Sequence, residues 1–335
     1  MFQIRPLTNL LVTGGAGFIG SAFIRKLLKN RSFRGRIINL DLLTYAANQD
    51  GLREVESNER YEFIQGDICN TALMKQILQE KKIHAIVHFA AESHVDQSID
   101  SPAAFIQTNI FGTYSLLEAV RMFPKVHFHH ISTDEVYGSL GMTGAFDETY
   151  PYHPNSPYAA SKASSDHLVR AFAHTYQFPF TLSHCSNNYG PYQHKEKLIP
   201  LMIQKALEGE LLPIYGNGKN QRDWLYVDDH VDAIYKILRF GKSGSTYDIG
   251  GGAEYSNLEV VQMILKLLAQ ETGLELESYQ KLISFVKDRP GHDFRYAINP
   301  AKIKKQLQWS PQISFEEGLL KTIRFFTASH KSCFY

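Results

Sequence analysis

The sequence predicts an α/β protein, a doubly wound parallel sheet of the Rossmann type with a smaller mixed lobe toward the C-terminus. Three observations carry this. Short apolar runs alternate with amphipathic helical stretches as far as Cys185. A glycine-rich turn, Gly14-Gly15-Ala16-Gly17-Phe18-Ile19-Gly20, stands between the first such run and the first such helix. Beyond Cys185 the alternation loosens. Strands and helices in regular alternation give parallel strand pairs with right-handed crossovers.

Composition narrows the function. A chain of 335 residues can bury a large core and allows two domains or one large α/β unit. A formal net charge of +1 gives no bulk attraction to nucleic acid or an anionic membrane, so neither is an expected partner. Any anionic ligand needs a local site. Cys69, Cys185 and Cys333 lack metal-ligand spacing, so reduced thiols and no metal are expected. No apolar run approaches the ~20 residues of a membrane span, and residues 1–9 lack a signal-peptide core. A soluble, cytoplasmic protein is the expectation.

The elements follow in order. Residues 9–13 form a strand, and a helix opens at the glycine turn. Gly15-x-Gly17-x-x-Gly20 fits the dinucleotide fingerprint, and Gly14-x-x-Gly17-x-x-Gly20 its short-chain variant. The glycines let the backbone approach a pyrophosphate, and the helix start at Phe18 and Ile19 offers it free N–H groups. The second strand, 36–40, ends at Asp41, where a carboxylate binds adenosine ribose hydroxyls and repels a 2′-phosphate. That favours NAD over NADP. A third strand, 62–68, brings Asp67 and Ile68 to the same edge, and a fourth, 85–90, ends in Ala90-Ala91-Glu92-Ser93-His94. Ligands bind at the carboxyl ends of such strands, so Ala90 and Ala91 face the cofactor and Ser93 and His94 the substrate.

A long helix over 102–120 carries Thr108 and Asn109 among apolar positions, where a nicotinamide ribose or backbone groups could partner them. The fifth strand, 126–131, delivers Ser132-Thr133-Asp134-Glu135-Val136-Tyr137-Gly138. A Gly/Pro/Tyr-rich loop over 141–157 covers the site, and Tyr158 opens a helix to Tyr176. A sixth strand spans 180–185. Later come helices over 197–207, 230–239 and 258–268, strands over 212–215 and 246–249, and a polar loop at 289–293. With no repeat and no linker, two lobes folded together are expected. Residues 1–186 with 225–250 would hold the cofactor, and 187–224 with 251–335 the substrate.

Two groupings carry chemistry. Tyr158 and Lys162 lie one helical turn apart, and an ammonium near a phenol favours the phenolate, the base that takes an alcohol proton as its hydride leaves. Oxidising a secondary alcohol needs no second acid–base pair, yet Asp134 and Glu135 stand beside it. Adjacent carboxylates repel, so one can hold a proton while the other is ionised. Once the alcohol is a ketone, Glu135 can remove the acidified α-hydrogen while Asp134 assists departure of a β-hydroxyl. Oxidation, loss of water and return of the hydride together account for these residues.

On these motifs the chain resembles the extended short-chain dehydrogenases/reductases, and most closely the dTDP-glucose 4,6-dehydratase family. The resemblance runs nearly end to end. It rests on 13–20, 88–96, Ser132 to Gly138, Tyr158 with Lys162, 187–192, 222–227 and 289–293. It implies Tyr158 as base at glucose C4 with Thr133 bonding the same hydroxyl, Glu135 as base at C5, and Asp134 as acid at C6. It further implies nucleotide-sugar contacts from Asn187, Lys197, Leu198, Tyr215, Arg222, Asn257, Arg289 and His292. A homodimer through helices 102–120 and 158–176 is implied as well. Gln97, Leu42 and Phe294 depart from the family pattern, Leu42 at the adenosine end and Phe294 at the outer nucleotide site. UDP-glucose 4,6-dehydratases carry similar motifs, so the base is open at this stage. UDP-sugar 4-epimerases and decarboxylases share the fold and the Tyr/Lys pair without needing Asp134 and Glu135. A non-catalytic NAD- or sugar-nucleotide sensor would not need the intact catalytic set.

Overall fold

The structure is a computed structural model that describes residues 5–332; Cys333 lies outside them. Its frame is a seven-stranded, all-parallel sheet in the order β3-β2-β1-β4-β5-β6-β10. The strands are β1 (Asn9–Thr13), β2 (Arg36–Asp41), β3 (Tyr61–Gln65), β4 (Ala85–His88), β5 (His127–Thr133), β6 (Phe180–Cys185) and β10 (Ser245–Ile249). Helices α1 (Phe18–Lys29), α2 (Thr71–Glu80), α5 (Thr113–Val120), α6 (Pro157–Tyr176) and α8 (Val227–Phe240) connect them. Two apolar clusters fill the faces of the sheet. One joins Phe23, Ile24 and Leu27 of α1 to Val231 and Ile234 of α8. The other joins Met74 and Ile77 of α2 to Leu116, Leu117 and Val169. Strand order reverses direction between β1 and β4, and the crevice of an open parallel sheet forms at such a point.

The later residues build smaller sheets. β7 (Asn187–Tyr189), β9 (Gln221–Tyr226) and β11 (Glu254–Ser256) form one, in the order β11-β9-β7. β8 (Leu212–Tyr215) pairs in parallel with β12 (Ile283–Val286). Helices α7 (Leu198–Glu208), α9 (Asn257–Thr272) and α12 (Phe315–Ser332) pack on them around Ile203, Ile264 and Leu319. The capping box of Ser256 and Glu259 starts α9. Helices α10 (Leu276–Gln280) and α11 (Ala301–Leu307) complete the lobe, although Ile303 and Leu307 of α11 pack against Tyr247 and Ile249 of β10.

The helix expected over 102–120 is present, but it is not α-helical throughout. After α3 (Val95–Asp100) and α4 (Pro102–Phe105), residues Ile106–Gly112 adopt a π-helix before α5 begins. The wider turn brings Asn109 and Gly112 inward. The Asn109 amide bonds the Glu92 N–H at 2.9 Å, the Glu92 carbonyl at 3.0 Å and the Ser161 hydroxyl at 2.8 Å. A Cβ on Gly112 would lie 2.5 Å from Ile68 Cδ1. Asn109 is therefore spent on the protein itself. It ties the loop after β4 to the helix that carries Tyr158.

Candidate active site

A cavity of about 420 Å³ opens along the carboxyl ends of the strands, and every residue expected to hold the cofactor lines it. Gly14 has φ of +72°, and a Cβ there would lie 2.5 Å from the Ala90 backbone nitrogen. A Cβ on Gly20 would lie 2.3 Å from the Gly14 carbonyl oxygen. These two glycines draw the loop against β4 and α1 and leave room in front of it. Gly17 caps α1 without a side-chain bond, so first-turn N–H groups remain for an anion. Asp41 accepts from the Ala16 N–H at 2.9 Å and the Leu43 N–H at 2.8 Å. A carboxylate has capacity beyond those two bonds, which suits ribose hydroxyls. Burial raises its pKa and the two amides oppose that rise. Asp67 and Ile68 lie just past the end of β3, with Thr108 nearby on the wall. The residues present fit a dinucleotide.

The same cavity holds Thr133, Asp134, Glu135, Tyr158 and Lys162. β5 runs two residues further than expected, so Ser132 and Thr133 belong to the rigid strand, and a single 3-10 turn (Asp134–Tyr137) follows. The Thr133 hydroxyl accepts the Glu135 N–H and donates to Asp134 Oδ1, both at 3.3 Å. Asp134 Oδ2 is buried without a partner. Burial and then the charge of Glu135 push the Asp134 pKa well above the carboxylate range. Burial also raises Glu135, but Arg289, Arg222 and Lys197 all oppose it. Three cations thus favour ionised Glu135 beside protonated Asp134.

The phenol differs from expectation. Burial, then the charge of Glu135, push Tyr158 well above the usual tyrosine value, and a bond with the Thr133 hydroxyl lowers it. Lys162 shares the wall, but its ammonium turns to the Ile131 carbonyl at 2.8 Å instead of to the phenol. Its own pKa is lowered by burial.

Of the expected substrate residues, Ser93, Asn187, Lys197 and Leu198 line the cavity with Thr133. Lys197 Nζ donates to the Ser93 carbonyl at 2.9 Å, and Asn187 Oδ1 is buried without a partner. The others lie behind or beside the wall. Arg222 is buried, stacks over Tyr296 at 4.3 Å, and donates to the carbonyls of Gln221 at 2.7 Å and Asp293 at 3.0 Å. Arg289 pairs with Asp96 at 3.2 Å. His292 bonds Asp288 at 2.6 Å, with its ring edge-on to Tyr215. Asn257 opens α9, its N–H on the Asn220 carbonyl. His94 caps α3 by accepting the Gln97 N–H at 3.1 Å, while Glu196 lies 3.5 Å away. Of the departures, Leu42 is on the cavity wall and Gln97 and Phe294 are exposed. Asn188, Gln193, Glu196 and Trp224 also line the cavity. Trp224 lies on β9 inside the 222–227 stretch that carries the resemblance, whereas no motif marks Glu196, whose position depends on the loop before α7.

Comparison with known proteins shows the family. Residues 11–322 match the family model described as GDP-mannose 4,6 dehydratase. The chain is 54% identical over 334 residues to a dTDP-glucose 4,6-dehydratase of Xanthomonas campestris pv. campestris, covering 96% of this chain and 93% of the relative. It is 50% identical to that of Haemophilus influenzae, covering 97% and 100%. The dTDP-glucose 4,6-dehydratase of Bacillus anthracis, crystallised in complex with NAD, superposes with a TM-score of 0.88 at 46% identity, covering 97% and 98%. With half or more of the residues identical over nearly the full length of both chains, the chain belongs to the dTDP-glucose 4,6-dehydratase family.

Proposed function

We propose that the protein converts dTDP-glucose to dTDP-4-keto-6-deoxyglucose and water. The observation that carries this is the unequal pair Asp134 and Glu135 on the cavity wall beside Tyr158. An epimerase or a decarboxylase has no use for it. NAD, held along the glycine loop, takes the hydride from C4 and returns it to C6. Tyr158 accepts the C4 hydroxyl proton while Thr133 bonds the same oxygen. Glu135 then removes the proton at C5, made acidic by the neighbouring ketone, and Asp134 protonates the C6 hydroxyl so that it leaves as water. Protonation at C5 with hydride at C6 completes the product.

Lys162 and Asp41 are assigned to the cofactor riboses. Lys197, Asn187, Arg222 and Arg289 are assigned to the nucleotide diphosphate, which a guanidinium can grip through two bonds. Residues 1–186 with 225–250 form the cofactor lobe in this reading, and the remainder the substrate lobe. A homodimer is proposed across the helical run 102–120 and α6, where Ile106, Phe111, Tyr114 and Tyr176 are exposed and the rings of Phe111, Tyr114, Phe172 and Tyr176 touch in series, tilted or edge-on. Among the described residues no helix is long and apolar enough to cross a membrane, and Cys69 and Cys185 are free, which supports a cytoplasmic setting.

The test is a parallel assay with dTDP-glucose and UDP-glucose, following the alkali-induced absorbance of the 4-keto sugar and the mass loss of one water. A much higher kcat/KM for dTDP-glucose is expected. Preference for UDP-glucose would overturn the base assignment, and no water loss from either would overturn the reaction.

A further inference from the structure

Behind the cavity wall lies a cluster of buried charges that no catalytic step uses. We infer that Asp166 is a positioning residue: with His184 and Asp248 it forms a buried acid–imidazole–acid chain that fixes the Ser132–Thr133 strand end from behind and places a carboxylate one helical turn from Lys162. The inference rests on the dehydratase reading, for which those two groups matter.

The geometry spans four elements. Asp166 follows Lys162 by four residues on α6, so the two share a helix face. Its Oδ2 accepts from the Ser132 hydroxyl at 2.9 Å and the Tyr152 hydroxyl at 3.0 Å, and lies 3.1 Å from His184 Nε2. Its Oδ1 lies 3.2 Å from His130 Nε2. On the far side His184 Nδ1 is 2.8 Å from Asp248 Oδ1. Both nitrogens of His184 thus face carboxylate oxygens, with the Tyr152 hydroxyl 2.8 Å from Nε2 and the Tyr137 hydroxyl 2.9 Å from Nδ1, and the two carboxylates favour the imidazolium. Asp166, His184 and Asp248 are each 0% exposed, and none lines the cavity. They act only through Lys162 and Ser132, which do line it.

Charge balance gives the chain its purpose. Lys162 and His184 are two buried cations beside the buried carboxylates Asp166 and Asp248; His184 touches both carboxylates, whereas the Lys162 ammonium bonds the Ile131 carbonyl and feels Asp166 through space. Buried charge persists only when it is paired. Around this set, His88 and His130 are kept neutral by burial, with the Lys162 charge adding to the effect. Cys185 faces Lys162 from β6, and its thiol stays protonated through burial. Tyr137 bonds Asp248, Glu148 accepts the Asp248 N–H, and Arg170 donates to Tyr152. Burial opposes the charge on His184, yet its two carboxylates raise it to about 9. Burial lowers Lys162, and Asp166 is the foremost influence raising it. Without the Asp166 charge, His184 still has Asp248, whereas Lys162 loses the foremost charge that raises its pKa.

The experiment is Asp166→Asn in the full chain with NAD bound, compared with Asp248→Asn one link further away. Rates of reduced-nicotinamide formation are followed across pH in single turnover, together with melting temperature and the KM for dTDP-glucose. Asp166→Asn is expected to move the alkaline limb of the rate profile down by about one pH unit or more and to lower kcat about tenfold, with KM little changed. Asp248→Asn is expected to lower the melting temperature and leave that limb in place. Loss of stability in Asp166→Asn with an unmoved pH profile would overturn the inference. Should that variant not fold, nitrogen-15 NMR of the unaltered protein decides. A His184 ring protonated at both nitrogens at neutral pH supports the chain, and a neutral ring overturns it. Failure of the unaltered protein to turn over dTDP-glucose would refute the proposed function separately, and the NMR result would still stand.

Discussion

Replacing Glu135 by glutamine keeps the shape of the side chain and removes its ability to accept a proton. Two consequences follow from the charges around it. Removal of the C5 proton loses its base, which is worth about 10²- to 10⁴-fold, or about 3–5 kcal/mol of barrier. Oxidation at C4 does not lose its base. The charge of Glu135 is, after burial, the next influence holding the Tyr158 phenol up. A neutral amide removes that repulsion, so the phenol pKa falls and C4 oxidation runs at a lower pH than in the parent. Asp134 responds in the same direction, since the Glu135 charge is its second influence after burial. The variant is therefore expected to stall after the first hydride transfer. Stopped-flow absorbance of reduced nicotinamide should rise to about one per active site while release of the 4-keto product collapses. Product release at the parent rate, or no reduced nicotinamide at all, would refute the assignment of Glu135.

Further outcomes follow from the packing and the buried histidines. Gly14→Ala combines a left-handed backbone with a 2.5 Å approach to the Ala90 nitrogen. It should cost about 2–3 kcal/mol or more and abolish NAD binding; parent-like urea midpoint and NAD titration would contradict this. Asn109→Ala removes three bonds and strands the Glu92 N–H and carbonyl. A loss of about 2–4 kcal/mol is expected in urea unfolding with unchanged m-value, and a loss under 1 kcal/mol would count against the clamp. Burial holds His88 and His127 well below their ordinary value of 6.5 and lowers His129 to about 3, His130 to about 4 and His230 to about 3. The unfolded chain binds protons at these positions first, so stability should be full above pH 6.5 and fall steadily as the pH drops below it. His184 works the other way, its contribution present below pH 6.5 and lost as the pH rises through about 9. A melting temperature flat between pH 7 and pH 5 would contradict the histidine argument.

The parallel sheet was legible because its strands are bounded by the glycine turn and by acids at their carboxyl ends. Asp41 ends β2 as expected, and every anticipated cofactor residue reached one cavity. Local pattern was less informative where burial is polar. β5 was read as an apolar run, yet His127, His129 and His130 fill it, neutralised by burial, with His127 and His129 sharing the Thr181 hydroxyl at 2.9 Å. The helix over 102–120 has helical spacing throughout, and nothing in that spacing signals the π-turn that seats Asn109 against Glu92 and Ser161. In the second half β9 carries the run Arg222-Asp223-Trp224, with no alternation to mark it as a strand, because it is buried on both faces. His94 is a substrate residue by its place on the loop after β4, and Tyr215, Asn257 and His292 are so by the family resemblance. What their side chains touch depended on loops whose path no periodicity encodes.

The division of labour between Asp134 and Glu135 shows why motif and mechanism are separate levels of reading. Adjacency alone says that one carboxyl group keeps a proton, but not which. Burial raises both. The difference comes from elsewhere: Arg222 on β9, Lys197 at the start of α7 and Arg289 in the loop beyond β12 all oppose the rise at Glu135. Of these cations, Arg222 alone is among the leading influences on Asp134, where Glu135 and Asp223 counter it. Arg222 is fixed by backbone carbonyls and the Tyr296 ring, and Lys197 by the Ser93 carbonyl, so neither needs a ligand to hold its place. The later half of the chain thus does more than form a surface for the nucleotide. Its cations favour the ionised form of Glu135 over that of Asp134, both on the turn that follows β5, and in the proposed reaction this distinguishes the base from the acid.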